Sequence, residues 1–270
     1  MKKIVLLIFL ALNLNAFTYD ELKSWYFEDI NCSKFEFKKS SHKFSVDDLN
    51  NAIKNVDENK VLEILGSDRE LSFKNDSKGI SPLTKNYRTT NNILIEDMLL
   101  CADEKVFKFE IYTLDVLADK NVSESKTIKI LNQLFDEGLD KNAVFYYEDF
   151  GLLNAALAGE KVEVFEYLLD KNCPINDRLG VDLWFDFANI FMKENLLLSI
   201  KKPHSKELLN LLNSQKYKMH RTFWLNLTKK VVEKGLNPKN LKSLYKTFEY
   251  LGDENATKEL LNLGYKNDVK

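Results

Sequence analysis

An all-α fold of paired short helices is what this sequence predicts, and three observations lead there. Glycine (9) and proline (4) are scarce in 270 residues, whereas a sheet sandwich needs a turn signal about every 8–12 residues. The chain is 44% hydrophobic and 30% charged, which is apolar enough for a packed core and too apolar for disorder. Finally, residues 128–142 align with residues 162–176 at an offset of 34, a spacing typical of helical repeats.

Taken in order, the chain opens on an address. Lys2 and Lys3 precede an apolar run from Ile4 to Leu12, and Ala16 closes Asn13-Leu14-Asn15-Ala16 with the small residue that signal peptidase requires. Residues 1–16 are therefore expected to be a bacterial-type signal peptide, with the mature chain beginning near Phe17. That places the product in the periplasm, or outside the cell as the alternative; an uncleaved first core helix is the other reading. The run falls short of the roughly 20 apolar residues that span a bilayer, so no stable membrane anchor is expected. Residues 17–45 carry Tyr19, Trp25, Tyr26, Phe27, Phe35 and Phe37 without a sustained period and read as an N-terminal capping segment.

From residue 46 to 270 the pattern is that of repeated helices. Ser45 with Asp48 three residues on is a capping box that opens a helix to about Lys54, and a second helix is expected from Asn59 to Leu65. Further along, apolar pairs are followed by Gly138, Asn172, Gly235 and Gly264. Each is a residue type that accepts the left-handed conformation ending a helix.

Asp76-Ser77-Lys78-Gly79-Ile80-Ser81-Pro82-Leu83 resembles the opening of an ankyrin repeat, with Ser81 as helix cap and Pro82 in the first turn. Asp177 to Trp184 is a weaker copy, with Asp182 in the capping place. Leu153-Asn154-Ala155-Ala156 resembles the family's Leu-His-x-Ala with asparagine for histidine, and Gly252 precedes Gly264 by 12 residues, as the two glycines of a repeat do. The resemblance is clear over 125–185 and weaker over 46–90 and 230–270; it implies a helical-hairpin solenoid of about five degenerate repeats. Another helical-hairpin solenoid is the alternative.

Chemistry-bearing motifs are missing. His42, His204 and His220 have no histidine or cysteine partner at helical spacing, and neither a phosphate loop nor a nucleophile elbow occurs. No cofactor, metal or catalysis is expected. Lys plus Arg (39) nearly equals Asp plus Glu (41), so the chain has no global field for nucleic acid. Lys216 to Arg221 reads as a solvated basic turn, with an acidic partner or surface as the alternative. In an oxidising compartment Cys32 and Cys101 are the candidate disulfide, and Cys173 is expected to be a small buried apolar residue.

The ankyrin resemblance implies projecting finger loops and a concave face of first helices as the binding surface for a protein partner. Phe145, Tyr146 and Tyr147 would form an aromatic finger tip, an anchor type common at interfaces, with Lys78 and Arg178 on polar neighbouring loops. Packing of the aromatics against the next finger is the alternative. The expected function is a non-catalytic interaction scaffold. Its rivals are an exported enzyme or small-ligand carrier, with a pocket built from 84–124 and 185–230, and an immunity or inhibitor protein for an exported toxin.

Overall fold

The computed structural model describes residues 18–145, 150–180, 182–183 and 206–266. The described chain is helical and divides into two compact units between Cys173 and Pro174.

The N-terminal unit begins with α1, Tyr19–Phe27, where the sequence shows no sustained period. Thr18 and Glu21 form the capping box that starts it. Its aromatic residues Tyr19, Tyr26 and Phe27 each set a ring within 6 Å of Phe107, at centroid distances of 5.6, 5.8 and 5.7 Å. Four hairpins follow: α2 (Val46–Lys54) with α3 (Glu58–Ser67), α4 (Pro82–Thr89) with α5 (Ile93–Ala102), α6 with α7 (Glu124–Asp136), and α8 (Leu152–Ala158) with α9 (Val162–Asp170). Helix α6 is continuous through Glu104–Val106, a π-helical stretch Phe107–Tyr112, and Thr113–Ala118. First helices pack on first helices (α2 on α4, the end of α6 on α8) and second helices on second (α3 on α5, α7 on α9). The buried faces are apolar, with Leu49, Ile53, Ile64, Leu83, Leu99 and Phe165 fully enclosed.

Residues 31–44 run as a strap over the second helices. Cys32 is joined to Cys101 of α5 by a disulfide, with Cα atoms 5.3 Å apart, and Lys34 pairs with Asp97 of the same helix at 2.9 Å. On α3, Gly66 lets the Lys38 backbone come so close that a Cβ would collide with it. The next residue, Ser67, donates its hydroxyl to the His42 carbonyl at 2.6 Å.

One turn recurs throughout. At Gly138, Asn172, Gly235 and Gly264 the backbone enters the left-handed region, at φ between 57° and 118°. The residue after each returns its N–H to a carbonyl five residues back: Leu139 to Leu134, Cys173 to Leu168, Leu236 to Val231 and Tyr265 to Leu260. This is the Schellman ending, which buries an apolar side chain just past the helix. Leu139, Cys173, Leu236 and Tyr265 are all buried, so Cys173 is an apolar plug, and its burial raises the thiol pKa to about 11. The same turn joins the two helices of a hairpin at Val56, Glu160 and Gly252, with Asp57, Lys161 and Asp253 bonding back to Ala52, Ala156 and Phe248. Asn91 is a variant, because the Asn86 side chain accepts from the N–H of Asn92 at 3.1 Å.

In the C-terminal unit, α10 (Lys206–Asn213) packs on α11 (Gln215–Glu233), α11 on α13 (Glu254–Asn262), and α12 (Lys242–Leu251) on α13. Two sequence expectations are corrected here. Asp182 lies inside a helical turn; the Asn176 side chain instead accepts from the Leu179 N–H at 3.1 Å, so the cap sits six residues earlier than the repeat pattern places it. Lys216 to Arg221 is not a turn but the first part of the 19-residue α11, because Ser214 caps that helix at the Tyr217 N–H and Tyr217 and Trp224 supply its buried face.

Candidate partner-binding surface

The first finger is a tight loop closed by Asp76. Its carboxylate accepts from the N–H groups of Lys78 and Ile80 at 2.9 and 3.0 Å, and its carbonyl accepts from Gly79. Gly79, at φ 77°, is the place where the next finger docks: the Val144 N–H donates to its carbonyl at 2.9 Å, and a Cβ there would strike the Asn142 carbonyl. Ile80 and Val144 form a parallel bridge, and Val144 an antiparallel one with Gly151. Asn75 adds a side-chain bond to Asp140 at 3.2 Å.

These two fingers meet because the hairpin between them has none. Only Asp103 separates α5 from α6; its side chain caps the new helix through the Lys105 N–H at 2.8 Å. Extra turns at the start of α6 take the place of a loop.

Lys78 is exposed at the tip of the first finger. Phe145 is not a tip residue: it is fully buried, and its N–H donates to the Phe150 carbonyl at 2.8 Å. It turns inward because it forms the base of the loop, and the Arg88 guanidinium reaches its carbonyl at 3.4 Å. Tyr146 and Tyr147 lie outside the described residues. Arg178, in the C-terminal unit, pairs with Asp182 one helical turn on, at 3.4 Å, so part of its charge is already committed.

Two polar residues of this unit are absent from the sequence expectations. Glu110, on the π-helical stretch, is buried and accepts from Thr84 Oγ1 of α4 at 3.0 Å. Burial pushes its carboxyl up to about 7, against the hydrogen bonds of Ser81 and Thr84 and the charge of Arg88. Lys161 is buried between α8 and α9, and its ammonium donates to the Val116 and Val122 carbonyls and Thr127 Oγ1 at 2.7, 2.9 and 2.8 Å. Burial lowers its pKa to about 8, opposed by Asp119, Glu124 and Asp115. The signal for Lys161 is positional: it stands where the other hairpins carry Asp57, Asn92 and Asp253, all of which cap the second helix. A lysine cannot accept a hydrogen bond, and the Glu124 carboxylate of α7 supplies the cap instead, accepting from the N–H groups of Glu163 and Val164.

Among the described residues no group of three or more His, Cys, Asp or Glu could hold a metal ion, and no helix is long and apolar enough to cross a membrane. No family model matches the chain, and neither the curated proteins nor the solved structures contain a significant match to it.

Proposed function

We propose that this protein is an exported, ankyrin-like helical-hairpin solenoid of about five degenerate repeats that acts by binding a protein partner, without catalysis. The observation that carries the reading is the recurring left-handed turn: the same hydrogen-bond pair joins or ends helices at Val56, Gly138, Glu160, Asn172, Gly235, Gly252 and Gly264. In the N-terminal unit, hairpins built alike and packed first helix on first helix bury their own apolar stripes, and the loops between them would offer a rigid surface that loses little entropy on binding.

The fingers around Lys78 and residues 146–149 are the proposed contact. The described residues beside them are held by Asp76, Gly79, Val144 and Arg88, so the contact would rest on fixed stems. The periplasm is the proposed site of action.

The test is crosslinking in periplasmic extract with the unsubstituted chain and with a Lys78→Glu, Tyr146→Ser, Tyr147→Ser variant. A partner captured by the first and reduced about tenfold with the second is expected for a loop-tip hot spot. Equal capture by both would remove the fingers from the contact, and recovery of only a bound small molecule would replace the scaffold reading with that of a carrier.

A further inference from the structure

The second surface lies on α11. Between Gln215 and Val232 this helix carries Lys216, Lys218, Arg221, Lys229 and Lys230 and no carboxylate; the first acid is Glu233. Its inward face is fixed by Asp253 of α13, which accepts from the Tyr217 hydroxyl at 2.6 Å and pairs with Arg221 at 3.3 Å. Those two bonds set the rotation of the helix about its own axis. The arginine is thereby spent inside, and lysines supply the outward charge.

That rotation leaves Met219 and Phe223, one turn apart, 64% and 39% exposed. Lys216, Lys218, Lys229 and Lys230 are exposed around them. Lys229 leans toward Glu233 at 3.9 Å, with both side chains well exposed, a contact of little strength in water. On α10, which packs against α11, Leu209 is half exposed as well.

We infer that this face rests reversibly on an anionic lipid surface, with Met219 and Phe223 entering the headgroup region and Lys216, Lys218, Lys229 and Lys230 meeting the lipid phosphates. Lysine decides between lipid and an acidic protein. Specific recognition of protein carboxylates favours the planar fork of arginine, and here the one arginine is turned onto Asp253. Flexible lysine stems around an apolar pair suit a diffuse, deformable layer of negative charge, where the stems lie along the apolar region and the ammonium groups stay at the phosphates. With a chain charge of only −2, the attraction is local to this helix and disappears beyond about 10 Å at ordinary salt. None of these residues belongs to the finger loops, so this inference stands or falls without the protein-partner reading.

The experiment is co-sedimentation of the full chain with vesicles of phosphatidylcholine alone and of equal parts phosphatidylcholine and phosphatidylglycerol. The arms are the unsubstituted chain, a Lys216→Glu, Lys218→Glu, Lys229→Glu, Lys230→Glu variant and a Met219→Ser, Phe223→Ser variant, each checked for helicity by circular dichroism. Residues 4–12 are common to all arms, so a difference between arms reads α11. The expected result is salt-sensitive binding to the anionic vesicles, weakened about tenfold or more by the charge reversals and to a lesser degree by the serines. Equal binding by all arms, or equal binding to both kinds of vesicle, would overturn the inference. So would an unsubstituted chain that ignores anionic vesicles and is retained on immobilised polyglutamate, which would assign the face to an acidic protein.

Discussion

The hairpins α8–α9 and α12–α13 make the same turn in two chemically different ways. At Gly252-Asp253 the left-handed residue is glycine and the next is an aspartate that caps its own helix through the Ala256 N–H at 3.0 Å. At Glu160-Lys161 the left-handed residue is a glutamate, at φ 57°, and the cap must come from Glu124 of the preceding second helix. The lysine amine, released from capping, ties the end of α6, the loop at Val122 and the start of α7 together. A self-capped hairpin is a local product of its own sequence. A hairpin capped by its neighbour has exchanged that independence for coupling.

Substitutions sharpen the contrast. Lys161→Met leaves three acceptors and the nearby carboxylates without their buried cation and is expected to cost about 4 kcal/mol in urea unfolding. Asp57→Ala, which removes a local cap, costs about 1 kcal/mol. Equal losses would mean that the trans-capped hairpin is no more coupled than the others.

Glu110 supplies the second contact between hairpins, and its effect depends on pH. Its folded pKa of about 7 lies above the ordinary value of 4.5, so the folded chain holds a proton that the unfolded chain has released. The group therefore costs nothing below about pH 4.5, and its penalty grows as pH rises toward 7, where it approaches about 3 kcal/mol. Glu110→Gln should abolish that part of the slope in unfolding curves compared between pH 4.5 and 7.5. A parallel pH dependence in both chains would show that Glu110 titrates normally.

The smallest effect belongs to Val56, a β-branched residue at φ 55°. Val56→Gly relieves that strain, for a net gain of about 1 kcal/mol in thermal unfolding. Loss of stability instead would show that the exposed valine side chain contributes more than its backbone costs.

The same turns explain how much could be read in advance. Gly138, Asn172, Gly235 and Gly264 announce helix ends because their residue types mark the left-handed backbone, and Ser45 and Ser81 announce starts because they cap the N–H groups of Asp48 and Thr84. Val56 and Glu160 adopt the same backbone without a marker residue. The join at Asp103 was equally illegible, since a single residue between helices carries no turn signature. Phe145 is ambiguous in the sequence for another reason. An aromatic in an unperiodic stretch gives no sign of whether it lies at the tip of a loop or at its base, and only the bond to Phe150 and the Arg88 contact put it at the base.

The Cys32–Cys101 bond also fixes how the protein would respond to a mechanical load. It encloses the first hairpin and most of the second in a covalent ring with a sequence separation of 69 residues. A pull on the chain ends passes through the sulfur atoms and leaves α2, α3 and α4 slack. Single-molecule extension of the oxidised chain should therefore stop short of the reduced one by about 230 Å of contour. The hairpins that carry the Lys78 finger would stay shielded from force after the rest of the chain had drawn out.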